Sequence, residues 1–273
     1  MNDPAERVRD ALHKAERALP AEIEEKIAEA LDKETSASGR LVLGAIAENL
    51  GISRSTDLPM CQDTGMFWCL ASVGRISAVP MSRIEEIVNE GCLRAAVGGY
   101  LRKSVVVDPV YSRVNTKNNL PVVMNWELAD GSDVTLSFLL KGFGSENCSS
   151  VRMLNPTAGE KGVREAVLDM MKKAGGKPCP PVFLGVGIGG TMDRAALLSK
   201  KAFFQNGDEK LSELIKADVN TLRIGPGGLG GDQTCLGVSV VTEPTHIAGL
   251  PVALTVNCWA ERKAVLVFKE GEL

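Results

Sequence analysis

Apolar residues recur at helical spacing along the first fifty positions. Val8, Leu12, Ala15 and Leu19 follow one another every three or four residues, and Ile23, Ile27 and Leu31 carry the stripe past Pro20. That period predicts two amphipathic helices before residue 32, the second opened by Pro20, because a first helical turn tolerates proline. A third helix is predicted over about 39–50 and is expected to stop at Gly51. Beyond residue 60 the pattern changes. Residues 66–73 read as a buried strand, and Ser82 with Glu85 three positions on predicts a capping box at the head of a helix. Two β-rich runs, 122–128 and 134–140, flank Ala129-Asp130-Gly131-Ser132, which has the chemistry of a hairpin turn. Gly142-Phe143-Gly144-Ser145 is read as the end of the second run. Residues 182–188 form a short apolar strand that empties into Gly189-Gly190-Thr191, with a helix following through Arg194, Leu198 and Ala202. Three more strand-like runs close the chain, at 236–241, 252–256 and 264–268. The expected fold class is α/β, with mixed β-sheets flanked by helices and a helical N-terminal segment. Residues 1–273 are expected to form one domain, with 1–55 a mainly helical lead-in and 56–273 the α/β region.

Composition narrows the function classes. The 273 residues are 44% hydrophobic and 24% charged, with a net charge of −3, enough for one large domain or two small ones. The longest basic runs are pairs such as Lys172-Lys173 and Lys200-Lys201, so no basic face for a duplex is in evidence. With 4% aromatic residues there are few stacking platforms for single strands either. Nucleic acid is not an expected partner. No run approaches the roughly 18–20 apolar residues of a membrane span, and Met1-Asn2-Asp3-Pro4 lacks the basic-then-apolar opening of a signal peptide. The seven cysteines are odd in number and contain no Cys-x-x-Cys pair, which favours reduced thiols and a cytoplasmic location.

Three of those cysteines open unlike motifs in separate segments. Cys61 begins Cys61-Gln62-Asp63-Thr64-Gly65, Cys179 begins Cys179-Pro180-Pro181, and Cys258 begins Cys258-Trp259-Ala260-Glu261-Arg262. Three thiolates brought together by folding can hold an iron–sulfur cluster and leave one iron without a protein ligand. Pro178, Pro180 and Pro181 stiffen the backbone around Cys179. Cys69 and Cys92 sit in apolar surroundings, while Cys148 and Cys235 lie near glycine-rich loops and compete for the ligand role. Taken alone, Cys61 reads more readily as a buried structural cysteine, and Cys179 and Cys258 equally suit ordinary strand junctions. Gln62 and Asp63 put an amide and a carboxylate beside a soft ligand. The turn 142–147 can present backbone N–H groups to a carboxylate. Gly185-Val186-Gly187-Ile188-Gly189-Gly190 departs from G-x-G-x-x-G, and Gly225-Pro226-Gly227-Gly228 lacks the Lys-Ser/Thr of a P-loop, so neither predicts a nucleotide site. His246, one of two histidines, and Arg102 are ordinary surface groups by default. Beside a cluster, they suit a proton shuttle and a carboxylate fork respectively.

Taken in order, these motifs resemble the α subunit of the iron–sulfur class I fumarase and L-tartrate dehydratase family. The resemblance runs from Leu58-Pro59-Met60-Cys61-Gln62-Asp63-Thr64-Gly65 through Arg113-Val114-Asn115-Thr116, Asn119-Leu120-Pro121 and Lys141-Gly142-Phe143-Gly144-Ser145-Glu146-Asn147. It continues through Cys179-Pro180-Pro181, the glycine-rich stretch 224–231 and the segment 251–262. It implies Cys61, Cys179 and Cys258 as ligands of a 4Fe–4S cluster. Gln62, Asp63, Arg102, Gly144 and His246 become its substrate contacts, with Asp63, Arg102 and His246 in catalytic roles. Phe143 stands where the family often has glycine, which puts the backbone contact at Gly144 in question. The implied reaction is reversible hydration of fumarate to L-malate, with the open iron as Lewis acid. Dehydration of L-tartrate, hydration of a mesaconate-type substrate and a non-catalytic iron–sulfur subunit are the alternatives. The Ser145-Glu146-Asn147 form of the turn favours fumarate. A β subunit carrying the remaining active-site groups, in an (αβ)2 assembly, is the implied partner.

Overall fold

The computed structural model describes residues 3–273. The chain folds as α1 (Pro4–Arg17), α2 (Ala21–Lys33), α3 (Ala37–Thr56), β1 (Met66–Gly74), α4 (Met81–Gly98), β2 (Val123–Ala129), β3 (Val134–Lys141) and the single turn α5 (Phe143–Glu146). There follow β4 (Ser150–Leu154), α6 (Gly159–Ala174), β5 (Val182–Gly190), α7 (Met192–Lys201), α8 (Glu209–Asn220), β6 (Cys235–Thr245), β7 (Leu250–Asn257) and β8 (Lys263–Phe268). The mixed α/β class and the helical N-terminus are as expected. Two compact units divide the chain: Met1–Pro20 with Asn49–Phe143 and Arg262–Leu273, and Ala21–Glu48 with Gly144–Glu261.

In the first unit the sheet order is β2-β1-β3-β8. β1 is buried on both faces, as an interior strand with a nearly continuous apolar sequence must be. Val8, Leu12 and Ala15 of α1 join Ile84, Ile87, Val88 and Cys92 of α4 against Phe67, Cys69, Leu136 and Phe138 of the sheet. α1 starts where Asp3 accepts a hydrogen bond from the Ala5 N–H and Pro4 takes the first helical position. The predicted hairpin is not one. β2 runs parallel to β1, β3 runs antiparallel to it, and β1 lies between them. The turn after Ala129 bridges across the end of β1, held by Arg75 N–H to the Ala129 carbonyl and Ile76 N–H to the Gly131 carbonyl. The turn chemistry was legible; the strand inserted from sixty residues upstream was not.

Two helix signals also fail. α3 runs through Gly51, where nothing forces a break, and ends before Asp57, whose φ of 59° takes the chain out of the helix. α4 begins at Met81 after Pro80 with no side-chain cap, so Ser82 lies inside the first turn and forms no capping box.

The second unit carries the order β4-β7-β5-β6. β5 pairs parallel with β6 and antiparallel with β7, and all but its last residue are buried. Its glycines explain how. A Cβ on Gly185 would lie 2.0 Å from the Ser199 carbonyl oxygen, and one on Gly187 would lie 2.2 Å from that of Ala195. The glycines therefore let α7 rest directly on the strand, which is packing rather than nucleotide binding. Helices α6 and α8 and strand β4 fill stretches for which no element was predicted, with Val163, Val167, Met170 and Met171 of α6 buried against the sheet. Among the described residues, no helix is long and apolar enough to cross a membrane.

Candidate functional site

Strand direction decides what each sheet gathers at its ends. In the first unit Met66 of β1 pairs with Lys141 at the end of β3, and Leu139 with Lys263 at the start of β8. The Cys61–Gly65 loop, Gly142 and Arg262 therefore emerge at one edge. Gly65 is required there. Its φ is +67°, and a Cβ would fall 1.7 Å from the Lys141 carbonyl oxygen. Cys61 and Asp63 are half-buried and Gln62 is exposed. The exposed Arg102 guanidinium donates from Nη2 to Oε1 of Gln62 at 3.2 Å, so the first unit brings these two predicted residues together. The Arg102 backbone is fixed from behind. Its carbonyl accepts from Thr64 Oγ1 at 2.7 Å and from Asn119 Nδ2 at 2.9 Å, while Asn115 Nδ2 donates to the Lys103 carbonyl. The asparagines of the 113–116 and 119–121 motifs are thus clamps on the arginine-bearing segment.

In the second unit Phe183 near the start of β5 pairs with Asn257 at the end of β7, and Val182 with Cys235 at the start of β6. Cys179 precedes β5 and Cys258 follows β7, so both stand at the same end of the sheet. Ser150 of β4 pairs with Leu254, and Ser149 Oγ accepts from the Val256 N–H, which brings the exposed Gly144 turn toward that end as well. Cys179 is exposed on a backbone with φ of 54°, and the Gly227 N–H donates to the Pro180 carbonyl beside it at 2.7 Å. His246 goes the other way. It follows β6 and precedes β7, whose eight residues span roughly 26 Å at about 3.3 Å each. The histidine is exposed, accepts the Ala248 N–H on Nδ1, and is not brought to Cys179 or Cys258 by this fold.

The seven thiols fall into two groups. Cys69, Cys92 and Cys235 are sealed in the cores, and burial pushes each thiol up, that of Cys235 to about 12. Cys61, Cys148 and Cys258 are half-buried and Cys179 is exposed. Burial thus removes Cys235 as a rival ligand. Cys148 stays accessible, with its thiol directed at the Gly144 carbonyl at 3.5 Å. Among the described residues, no three His, Cys, Asp or Glu side chains converge to hold a single metal ion. The accessible donors are soft thiols in strand-end loops, a set that fits a thiolate-held cluster better than a hard cation.

Two groups that sequence reasoning passed over support these loops. Glu34, at the α2–α3 junction, accepts from the backbone N–H groups of Ser36, Asp232 and Gln233. Burial pushes its carboxyl up, but those donors outweigh burial and hold it below the usual carboxylate range. The N–H groups at 232–233 of the glycine-rich loop are therefore occupied from within the chain. In the first unit Glu16 and Arg262 form an ion pair with both side chains 1% exposed.

Strand-end loops that carry accessible thiols, with an exposed guanidinium beside one of them, define a thiol-bearing α/β protein. The chain belongs to the fumarate hydratase (fumerase) family, a family of hydro-lyases, whose match covers residues 5–267. It is 38% identical over 261 residues to the "Putative L(+)-tartrate dehydratase subunit alpha" of Methanocaldococcus jannaschii, covering 90% of this chain and 91% of that one. To the L(+)-tartrate dehydratase subunit alpha of Escherichia coli strain UTI89 it is 30% identical over 260 residues, covering 91% and 85%. The K12 protein of the same name is 29% identical over 261 residues with the same coverage.

Proposed function

We propose that this chain is the α subunit of an iron–sulfur hydro-lyase, with Cys61, Cys179 and Cys258 as ligands of a 4Fe–4S cluster, and that the assembled enzyme interconverts fumarate and L-malate. The observation that carries this reading is the division of the cysteines: Cys69, Cys92 and Cys235 are sealed in the cores, while these three, with Cys148, stand accessible in loops, and Cys179 and Cys258 share one end of the second sheet. When bound, a cluster with one iron lacking a protein ligand supplies a Lewis acid for a substrate hydroxyl. The chain's own residues bind and orient. Arg102, aligned by Gln62 and by its clamped backbone, offers a cationic fork to a substrate carboxylate. Asp63 sets a carboxylate beside the first ligand, and Gly144 stands in the exposed turn as a further substrate contact. His246 lies at the far end of β7, so a role for it at a substrate near Cys179 and Cys258 calls for a second chain, in keeping with an (αβ)2 assembly. The relatives bear alpha-subunit names, which supports a β partner.

A second reading, dehydration of L-tartrate, is favoured by what those relatives are named. The turn that favours fumarate in the sequence weakens in the structure, since Ser145 is buried and Glu146 accepts from Lys200 Nζ at 2.6 Å. The αβ complex offered fumarate, mesaconate and L-tartrate at equal concentration separates the readings. Fastest turnover is expected with fumarate; faster turnover of L-tartrate would replace the first reading with the second.

A further inference from the structure

The Glu16–Arg262 pair has no place in the chemistry above, yet it is among the most deeply buried charged groups in the chain. Arg262 Nη1 donates to Glu16 Oε2 at 3.1 Å and lies 3.4 Å from Oε1. The fork's other arm leaves the pair: Nη2 donates to the backbone carbonyl of Asp63 at 2.6 Å. Glu16 also acts through its backbone, since its carbonyl accepts the Met60 N–H at 2.9 Å. Asn49 Nδ2 holds the Met60 carbonyl at 2.8 Å. The loop is therefore gripped at Met60 and at Asp63, on either side of Cys61. The arginine is itself anchored, because the Leu140 N–H of β3 donates to its carbonyl at 3.1 Å. A buried ion pair is weak as a stabiliser, because desolvation offsets most of its attraction. Its fork geometry, however, lets one guanidinium satisfy a carboxylate and direct a loop at the same time.

We infer that Glu16 and Arg262 are positioning residues that hold the Cys61 loop, and thereby the Cys61 thiol, in the place a cluster needs. This rests on the reading of Cys61 as a ligand. The clasp works through the Arg262-to-Asp63 bond, and the Glu16 carboxylate serves to aim the guanidinium.

Two variants of the full chain separate positioning from plain stability. Arg262→Lys keeps a charge for Glu16 but, with a single nitrogen, cannot span to Asp63 as well. Glu16→Gln removes the charge but keeps an acceptor of the same shape, so the bond to Asp63 persists. In the iron-free chain, alkylation of Cys61 by iodoacetamide is read by mass spectrometry, with Cys179 and Cys258 as internal standards. Iron retention after anaerobic reconstitution and the melting temperature are read on the same variants. Arg262→Lys is expected to speed Cys61 alkylation and weaken iron retention by about ten-fold, the scale of lost outer-shell support. Glu16→Gln is expected to keep both near wild type while melting lower. An unchanged Cys61 rate in folded Arg262→Lys would overturn the inference, as would losses that simply follow melting temperature across both variants. If Glu16→Gln does not fold, the Cys61 rate in Arg262→Lys decides alone. Full iron retention in Cys61→Ser would instead sink the ligand assignment, and the alkylation rates would still report whether the pair positions the loop.

Discussion

Asp108 shows how much a single carboxylate organises in the first unit. It accepts from the backbone N–H groups of Val110, Tyr111 and Ser112 and from the Ser112 hydroxyl, tying down a loop that exposes Val107, Val110, Tyr111 and Val114. The Ser112 N–H, with those of Val110 and Tyr111, lowers its pKa to about 2. A carboxyl depressed by folding adds stability that is present above its unfolded value of about 3.9 and lost as pH falls through the folded value. Amide exchange should find Val110, Tyr111 and Ser112 protected at about pH 5, with that protection lost only as the pH approaches about 2. Protection lost already near about pH 4 would contradict the bond pattern. Legibility at this scale was uneven. The three motif cysteines stood out because proline, glycine or tryptophan followed each of them. Glu16 was visible only as a charge four residues after Leu12 on the apolar stripe of α1, and Glu34 left no signal, since two of its partners, Asp232 and Gln233, lie almost two hundred residues away.

Among the elements, β5 and α7 give the sharpest test of packing. Gly187→Ala adds a methyl that meets the Ala195 carbonyl oxygen at 2.2 Å and the Ser199 nitrogen at 2.5 Å, both backbone atoms of α7. The helix must move off the strand, and a cost of about 1–3 kcal/mol is expected as a lower urea midpoint. An unchanged midpoint would show that α7 does not rest on β5 as described. The strands themselves were largely readable, because interior strands such as β1 and β5 need unbroken apolar runs. Pairing was less so. Ala129-Asp130-Gly131-Ser132 does turn the chain, yet local chemistry says nothing about whether a third strand will sit between the two it joins. Gly51 and Ser82 failed for a related reason. A glycine or serine marks a helix boundary only where tertiary contacts leave the boundary to be decided locally, and here α3 runs on through Gly51 while α4 starts without a side-chain cap.

For the whole molecule, the sequence order of the motifs identified the family, while strand direction alone shows which motifs share an end of a sheet. Cys179, Cys258 and the Gly144 turn stand at one end of the second sheet; Gln62, next to Cys61, meets Arg102 in the first unit; His246 stands apart at the far end of β7. No pattern in the sequence distinguishes the last case, because topology rather than spacing sends the β6–β7 turn away from Cys258. Counting iron and acid-labile sulfide in the αβ complex tests the central claim most directly, with wild type set beside Cys61→Ser, Cys179→Ser, Cys258→Ser and Cys148→Ser. About four irons and four sulfides per α chain are expected in wild type and in Cys148→Ser, with the cluster and activity lost in each of the other three. A full complement of iron and sulfide in any one of those three would contradict the assignment of its cysteine.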